Sequence, residues 1–192
     1  LMHALPAPPP PAPQRQMIVG VSLAVVAAVM AIGSMLAVWA LQRREAIDVE
    51  GTWVPDGVTI PEVPTNVNLL AFIGICVFGQ WAHWSAERED RGHTLLALGC
   101  TLLVSLLVIN AQFFVYTQME LGIADGTYAA MFYGITGFFV ALMIAGMLFT
   151  LVAAFRFAGG RDNREILAAH AIYWYAMSAI YAGIWFLVYV TK

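Results

Sequence analysis

Two histidines are the residues of this chain best suited to metal or haem chemistry. His83 stands between Trp81 and Trp84 in the stretch QWAHWSAEREDRGH, and His170 opens the last apolar segment. Two facing imidazoles can ligate a haem iron, so one hypothesis is a haem-b membrane anchor that uses this pair. The tryptophans favour a second interpretation, because indole rings prefer the membrane–water boundary. In that interpretation Trp81, His83, Trp84 and Arg88 contact lipid headgroups or a neighbouring subunit where a helix leaves the bilayer.

The other polar residues of the apolar segments offer little chemistry. Asn110 and Gln112 lie deepest, and we expect their amides to hydrogen-bond between helices, with contact to a transported substrate as the alternative. The middle of each segment lacks Asp, Glu, Lys and Arg, which ion-coupled transporters place there, so a transporter or channel acting alone is disfavoured. Cys76 and Cys100 lie inside apolar runs without metal or redox spacing, and we interpret them as small buried residues. We therefore assign no catalytic, cofactor-binding or metal-binding residue.

The composition indicates which solvent surrounds these residues. Hydrophobic residues make up 61% of the 192, and charged residues 11%, against about 25% in an ordinary globular domain. A net charge of -3 without a basic patch excludes nucleic acid as a partner. Five apolar segments reach the length of about 20 residues that crosses a bilayer. They cover residues 17–41, 67–85, 94–117, 127–157 and 165–190.

These segments predict an all-α fold, a five-helix transmembrane bundle. Residues 17–192 form the membrane domain, and residues 1–16 form a proline-rich arm that cannot be helical. The loop from Gln42 to Asn66 holds five acidic residues and three prolines, so we expect an irregular acidic connector.

The arginines predict how the bundle is oriented. Basic loops are poorly translocated and stay in the cytoplasm. The N-terminus, the loop after the second segment and the loop after the fourth share one side and carry most of the basic residues, namely Arg15, Arg88, Arg91, Arg156, Arg161 and Arg164. The other side has Arg43, Arg44 and Lys192. We therefore expect a cytoplasmic N-terminus and a C-terminus outside.

Small residues repeat along the fourth segment. Gly137, Ala141 and Ala145 follow one another at a spacing of four residues, which places them on one face of a helix. Such faces let helix backbones approach closely in lipid, where packing drives association. We expect this face to take part in helix packing.

The order of several motifs resembles subunit III of the haem-copper oxidases, the cytochrome c oxidase type, in a divergent five-helix bacterial form. The first apolar segment ends in AVWALQRREA, and GTWVPDGVTIPEVPTNVNLLAF is similar to the family's Trp-x-Pro loop. A helix, charged turn and helix follow in AHWSAEREDRGHTLLALGCTLLVSLLVINAQFFVY. Three further matches to the family involve Gln112 with Tyr116, then Tyr128, Phe132, Thr136 and Gly137, and finally Tyr173 with Trp174.

The same comparison shows where this chain departs from the family pattern. The family's Glu in the first of these helices falls at Ala28-Val29. Its two histidines after Thr-Gly fall at Phe139 and Leu142, and the His and Asp of its last helix correspond to Tyr175 and Ser178. The resemblance therefore implies a packing role and leaves out a proton-supply role tied to those groups.

The resemblance also implies a function, partners and a location. Members of the family are non-catalytic, hold phospholipid between helices and pack beside the catalytic subunit, while haem and copper belong to partner subunits. We therefore expect a non-catalytic subunit III of a bacterial cytochrome c oxidase in the plasma membrane. Its partners would be oxidase subunits I and II and membrane lipids, with a respiratory supercomplex left open. A homologue serving a nitric oxide reductase or a quinol oxidase is a further alternative.

Overall fold

The computed structural model describes residues 15–160 and 164–191, and this part of the chain consists of helices and short connections without a strand. Five helices are each long and apolar enough to cross a membrane, which confirms the predicted all-α five-helix fold. They are α1 (Gln16–Glu50), α2 (Glu62–Glu87), α3 (Arg91–Met119), α4 (Thr127–Ala158) and α5 (Arg164–Ile184), and α5 continues into a π-helical segment, Trp185–Val190. Most of the predicted proline-rich arm, together with Arg161 and Lys192, lies outside the described residues.

The connector between α1 and α2 is shorter than the sequence suggested. Helix α1 continues to Glu50, because Ala46 and Ile47 pack against the core and favour another two turns. It ends at Gly51, whose positive φ of 75° lets its N–H reach the carbonyl of Ile47 at 3.0 Å. Helix α2 already begins at Glu62, with Pro61 at its N-cap and Pro64 in its first turn. Proline is tolerated there because the N–H groups of a first turn have no partner within the helix, so none of the helical hydrogen bonds is lost. The prediction of an irregular connector was therefore wrong outside residues 51–61.

Helix α5 occupies the centre of the bundle. It packs against α1, α2 and α4, while α3 packs against α2 and α4, and α1 also touches α4. The most apolar stretch of α5 is 39% buried within the chain, but that of α1 is only 17% buried. So much exposed apolar surface on α1 is stable only against lipid or another apolar helix.

Aromatic residues fill the end of the bundle where α1 and α4 meet the connector. Trp39, Trp53 and Tyr128 form a triangle with ring centroids 5.2–5.4 Å apart. The indole N–H of Trp39 donates to the carbonyl of Leu187 at 3.1 Å. The π-helical segment is thereby tied to α1, and the wide last turn of the chain stays packed on the core.

Candidate functional site

The loops at the α2–α3 end of the bundle are joined by polar contacts. Arg164 at the start of α5 pairs with Glu89 in the α2–α3 turn at 2.9 Å, and Arg91 donates to the carbonyl of Ala158 at the end of α4. Glu165 accepts a hydrogen bond from the backbone N–H of Met17 at 2.7 Å. The α2–α3 turn, the end of α4, the start of α5 and the first turn of α1 therefore meet at one end, called here the inner end. Which compartment this end faces stays a prediction.

An open cavity of about 340 Å³ lies at the inner end, between α2 and the start of α3. Trp81, Trp84 and Arg88 line it, and the Arg88 guanidinium lies 3.6 Å from the centre of the Trp84 ring. Trp84 is 48% exposed, so this cation–π pair stands at the surface of the chain. A guanidinium beside indole rings is suited to an anionic headgroup that is half in water and half in apolar surroundings.

Asp90 and His93 form the other wall of this cavity. Asp90 caps α3, because its side chain accepts from the backbone N–H of His93 at 3.1 Å, and its other oxygen lies 2.6 Å from His93 Nδ1. The hydrogen bond from the His93 backbone, followed by that from the His93 side chain, lowers the pKa of Asp90 below its ordinary value. The cavity thus holds a fixed negative charge beside the positive charge of Arg88.

The structure brings together three of the four predicted interface residues. His83 does not line the cavity with Trp81, Trp84 and Arg88, and its Nε2 lies 3.5 Å from the carboxylate of Glu87 one turn further along α2. The sequence analysis did not select Asp90 or His93 for this site. The signal was available, since an Asp three residues ahead of its partner and just before an apolar run is typical of a helix N-cap.

His170, the other candidate haem ligand, is fully buried between α4 and α5. Its Nε2 lies 2.9 Å from Thr150 Oγ1 and 3.0 Å from Trp174 Nε1, and Trp174 Nε1 lies 3.1 Å from the same Thr150 oxygen. These three side chains are called the buried triad below. Nε2 of His170 is engaged by the other two side chains of the buried triad. The second ring nitrogen, Nδ1, has no hydrogen-bond partner among the described residues. Those residues also contain no group of three or more His, Cys, Asp or Glu able to hold a metal ion.

Gly146 lies where α4 packs closely against α5. A Cβ on Gly146 would lie 2.5 Å from the Tyr173 ring and 3.1 Å from the Trp174 ring, so α4 and α5 can approach only where this side chain is absent. The predicted packing face of Gly137, Ala141 and Ala145 is exposed, and a Cβ on Gly137 would meet nothing within 4 Å. That face points away from the other helices of the chain, toward lipid or a neighbour.

The two predicted interhelical amides occupy different surroundings. Gln112 is buried, and its side-chain N–H donates to the Tyr189 hydroxyl at 3.0 Å, which joins α3 to the π-helical segment. Asn110 is exposed on the outer surface of α3. Cys76 is partly buried and lies 3.0 Å from the Ser178 hydroxyl, and Cys100 is also partly buried as a free thiol.

The fold and the site define a multi-pass helical membrane protein. At its inner end lies a cavity lined by tryptophan rings and an arginine. The chain belongs to the cytochrome c oxidase subunit III family, whose model matches residues 11–192. This result confirms the resemblance that the motifs indicated.

Curated relatives agree with the family match. A protein named "Probable cytochrome c oxidase subunit 3" from Rickettsia bellii is 26% identical over 170 residues, which cover 83% of this chain and 57% of the relative. "Cytochrome c oxidase subunit 3" of Rattus norvegicus is 28% identical over 165 residues, 80% of this chain and 60% of the relative. The Danio rerio protein of that name is 30% identical over 151 residues, 75% of this chain and 56% of the relative. The chain therefore spans less than two thirds of the length of these relatives.

Proposed function

We propose that this chain is a non-catalytic subunit III of a bacterial haem-copper terminal oxidase of the cytochrome c oxidase type. The observation that carries the proposal is the family match, which extends over residues 11–192 and so includes all five helices. The relatives from Rickettsia support a bacterial plasma membrane as the location. In this role the chain packs beside the catalytic subunit, and subunits I and II hold the haem and copper.

The polar groups of the bundle suit a bracing role. The buried side chains of Gln112, Thr150, His170 and Trp174 make hydrogen bonds to other groups of the same chain. Such pairs hold helices together in lipid without providing a path for ions. The exposed faces of α1 and α4, including Gly137, then offer apolar surface for a partner subunit.

Lipid binding at the inner cavity is a second element of the proposal. Arg88 supplies the positive charge for a phosphate oxygen, and Trp81 and Trp84 supply the rings that lie against the glycerol region. In this arrangement the N-terminus and the inner cavity face the cytoplasm, and the C-terminus faces outside. Replacing both tryptophans by Ala should lower the amount of co-purifying phospholipid while leaving the haem spectrum of the complex unchanged.

Affinity purification from the native membrane tests the proposal as a whole. The chain carries a cleavable tag, is extracted in a mild detergent, and the co-purifying proteins are identified by mass spectrometry together with the haem spectrum. We expect oxidase subunits I and II in equal amounts with the chain and the absorption of a haem-copper oxidase. Recovery with a nitric oxide reductase or a quinol oxidase, or with neither subunit, would overturn the proposal.

A further inference from the structure

The inner cavity is lined by side chains of both charges. Arg88 lines it from the last turn of α2, and Asp90, whose side chain is 46% exposed, lines it from the start of α3. A ligand that is only anionic would gain from Arg88 but would meet Asp90 as a like charge, which is unfavourable. The lining therefore favours a ligand that carries a positive group as well as a negative one.

The donors of the cavity lie on one face of α2. Trp81, Ser85 and Arg88 follow one another at helical spacing. Ser85 is 2% exposed and lines the cavity, and its hydroxyl makes no hydrogen bond within the described residues. This hydroxyl is not among the fully enclosed unpaired atoms of the described residues, so part of its surface is accessible. Together with the Arg88 guanidinium it offers two donors to one phosphate group.

Asp90 supplies the negative charge and retains room for another donor. One of its oxygens accepts from the backbone N–H of His93 at 3.1 Å, and the other lies 2.6 Å from His93 Nδ1. Each oxygen of a carboxylate can accept two hydrogen bonds, so each of these two keeps one position. The hydrogen bonds from His93 also lower the pKa of Asp90, which keeps the carboxylate ionised at neutral pH.

The neighbouring acidic residues are directed away from the cavity. Glu87 lies 3.5 Å from His83, Glu89 pairs with Arg164 at 2.9 Å, and neither acid lines the cavity. Apart from His93, the charged groups of the described lining are thus one guanidinium and one carboxylate.

We propose that the inner cavity selects an amine-bearing phospholipid of the phosphatidylethanolamine type over a purely anionic phospholipid. This inference rests on the lipid binding described under the proposed function and adds the class of headgroup. The phosphate accepts from Arg88 and Ser85, and the primary ammonium group, two carbons away, donates to Asp90. Trp84, 48% exposed beside Arg88, is typical of a membrane boundary, which favours a lipid over a free phosphate ester.

Native mass spectrometry of the full chain released from detergent micelles tests this proposal. The chain is titrated with phosphatidylethanolamine, phosphatidylcholine and phosphatidylglycerol of identical acyl chains. The buffer is kept at pH 8 so that protonated imidazole does not compete with the lipid amine for Asp90. We expect phosphatidylethanolamine to bind about three- to fivefold more tightly, since the choline lipid has no N–H and the glycerol lipid has no cation. Equal binding of the three lipids, or tighter binding of either of the other two, would overturn the proposal.

Three variants separate the contributions of the two charges. Asp90→Asn keeps an acceptor for the cap of α3 but removes the charge, so it should abolish the preference among the lipids. Arg88→Gln should weaken all three lipids together, because each carries a phosphate. The matched control is Glu87→Gln, which removes a neighbouring carboxylate outside the cavity and should keep the preference. A preference that persists in Asp90→Asn, or is lost equally in Glu87→Gln, would overturn the proposal, and circular dichroism verifies that each variant is folded.

A soluble headgroup distinguishes the source of the ligand. Glycerophosphoethanolamine, which lacks acyl chains, should not displace the bound lipid at equal concentration, and displacement would overturn a lipid as the ligand. The result is separable from the test of the proposed function. Loss of the preference beside intact recovery of oxidase subunits I and II would overturn this inference alone. A retained preference without those subunits would overturn the proposed function alone.

Discussion

The hydroxyl of Thr150 on α4 lies 2.9 Å from Nε2 of His170 on α5. One arrangement of protons accounts for the hydrogen bonds of the Thr150 hydroxyl, while Nδ1 of His170 stays without a partner among the described residues. A hydroxyl oxygen can accept two hydrogen bonds while it donates one, so Thr150 accepts from His170 Nε2–H and from Trp174 Nε1–H and donates to the Gly146 carbonyl at 2.8 Å. The imidazole is thus positioned by neighbours on two helices, as expected of an interhelical contact.

Replacing Thr150 by Val should destabilise the chain while keeping the shape of the side chain. The change removes the acceptor of His170 and Trp174 inside a buried contact, so we expect a loss of about 1–3 kcal/mol in the free energy of unfolding. Reversible unfolding in mixed micelles measures this difference. The control is Thr117→Val, since Thr117 is exposed and bonds only to the Phe114 carbonyl in its own helix. Equal losses in the two variants would contradict the role of the buried triad.

Gly146 and Gly137 form a matched pair for helix packing. Gly146→Ala places a methyl group against the rings of Tyr173 and Trp174, and we expect a loss of about 1–3 kcal/mol from overpacking. Gly137→Ala should leave the isolated chain as stable or slightly more stable, because its site is open and Ala favours helix. Thermal unfolding of both variants decides the matter. Unchanged stability of Gly146→Ala would mean that α4 and α5 are further apart than the Gly146 contacts indicate.

Glu165 supplies a helix cap from a distant part of the chain. Arg15 at the N-cap of α1 makes no side-chain capping bond, and Glu165 instead accepts from the N–H groups of Met17 at 2.7 Å and Ile18 at 3.3 Å. Glu165→Ala should therefore cost about 1 kcal/mol and speed hydrogen exchange at Met17 and Ile18. Glu165→Gln retains an acceptor oxygen, so its stability should lie between that of Glu165→Ala and that of the unsubstituted chain. Unchanged exchange in Glu165→Ala would show that the cap does not form.

The cap of α3 should respond to acid. The pKa of Asp90 is lowered from its ordinary value of 3.8 by hydrogen bonds from His93. A lowered pKa in the folded state means that the ionised carboxylate stabilises the fold fully above the ordinary value and that this stabilisation is lost as pH falls through the lowered one. Asp90→Ala should therefore be less stable than the unsubstituted chain at pH 7, and the difference in the free energy of unfolding should shrink as pH falls below 3.8 and through the lowered pKa.

Chemical denaturation across this pH range gives the measurement for Asp90. Asp90→Asn, which keeps the cap acceptor and removes the charge, serves as the comparison. At neutral pH, Asp90→Asn should lose less free energy of unfolding than Asp90→Ala. A deficit that stays constant down to the lowest pH would show that the charge of Asp90 is not involved.

Hydrophobic length alone predicted the five helices, because a bilayer-spanning helix must be apolar over about 20 residues. It did not predict where α1 ends, since residues 42–50 are polar enough to leave the membrane and still helical, with Ala46 and Ile47 on the core. Periodicity selected Gly137 for packing, but a face of small residues does not reveal which helix it meets. The packing role of Gly146 could be recognised only from the positions of Tyr173 and Trp174 in the folded chain.

The inner cavity was predicted only in part, for a related reason. Aromatic residues next to charge at the end of an apolar segment mark a membrane boundary, so Trp81, Trp84 and Arg88 could be selected from sequence. His83 has the same neighbours in sequence, but the helical turn directs it toward Glu87. Sequence proximity cannot separate residues that lie on different faces of one helix.

The central part of the proposed function is that this chain braces a neighbouring redox enzyme and carries no redox centre of its own. The most direct test is the haem and metal content of the chain purified alone, by absorption spectroscopy and mass spectrometry of metals, beside the complex isolated from native membranes. The account predicts a Soret band and copper in the complex, and neither at stoichiometric level in the isolated chain. A stoichiometric Soret band in the isolated chain that disappears in His83→Ala or His170→Ala would contradict it.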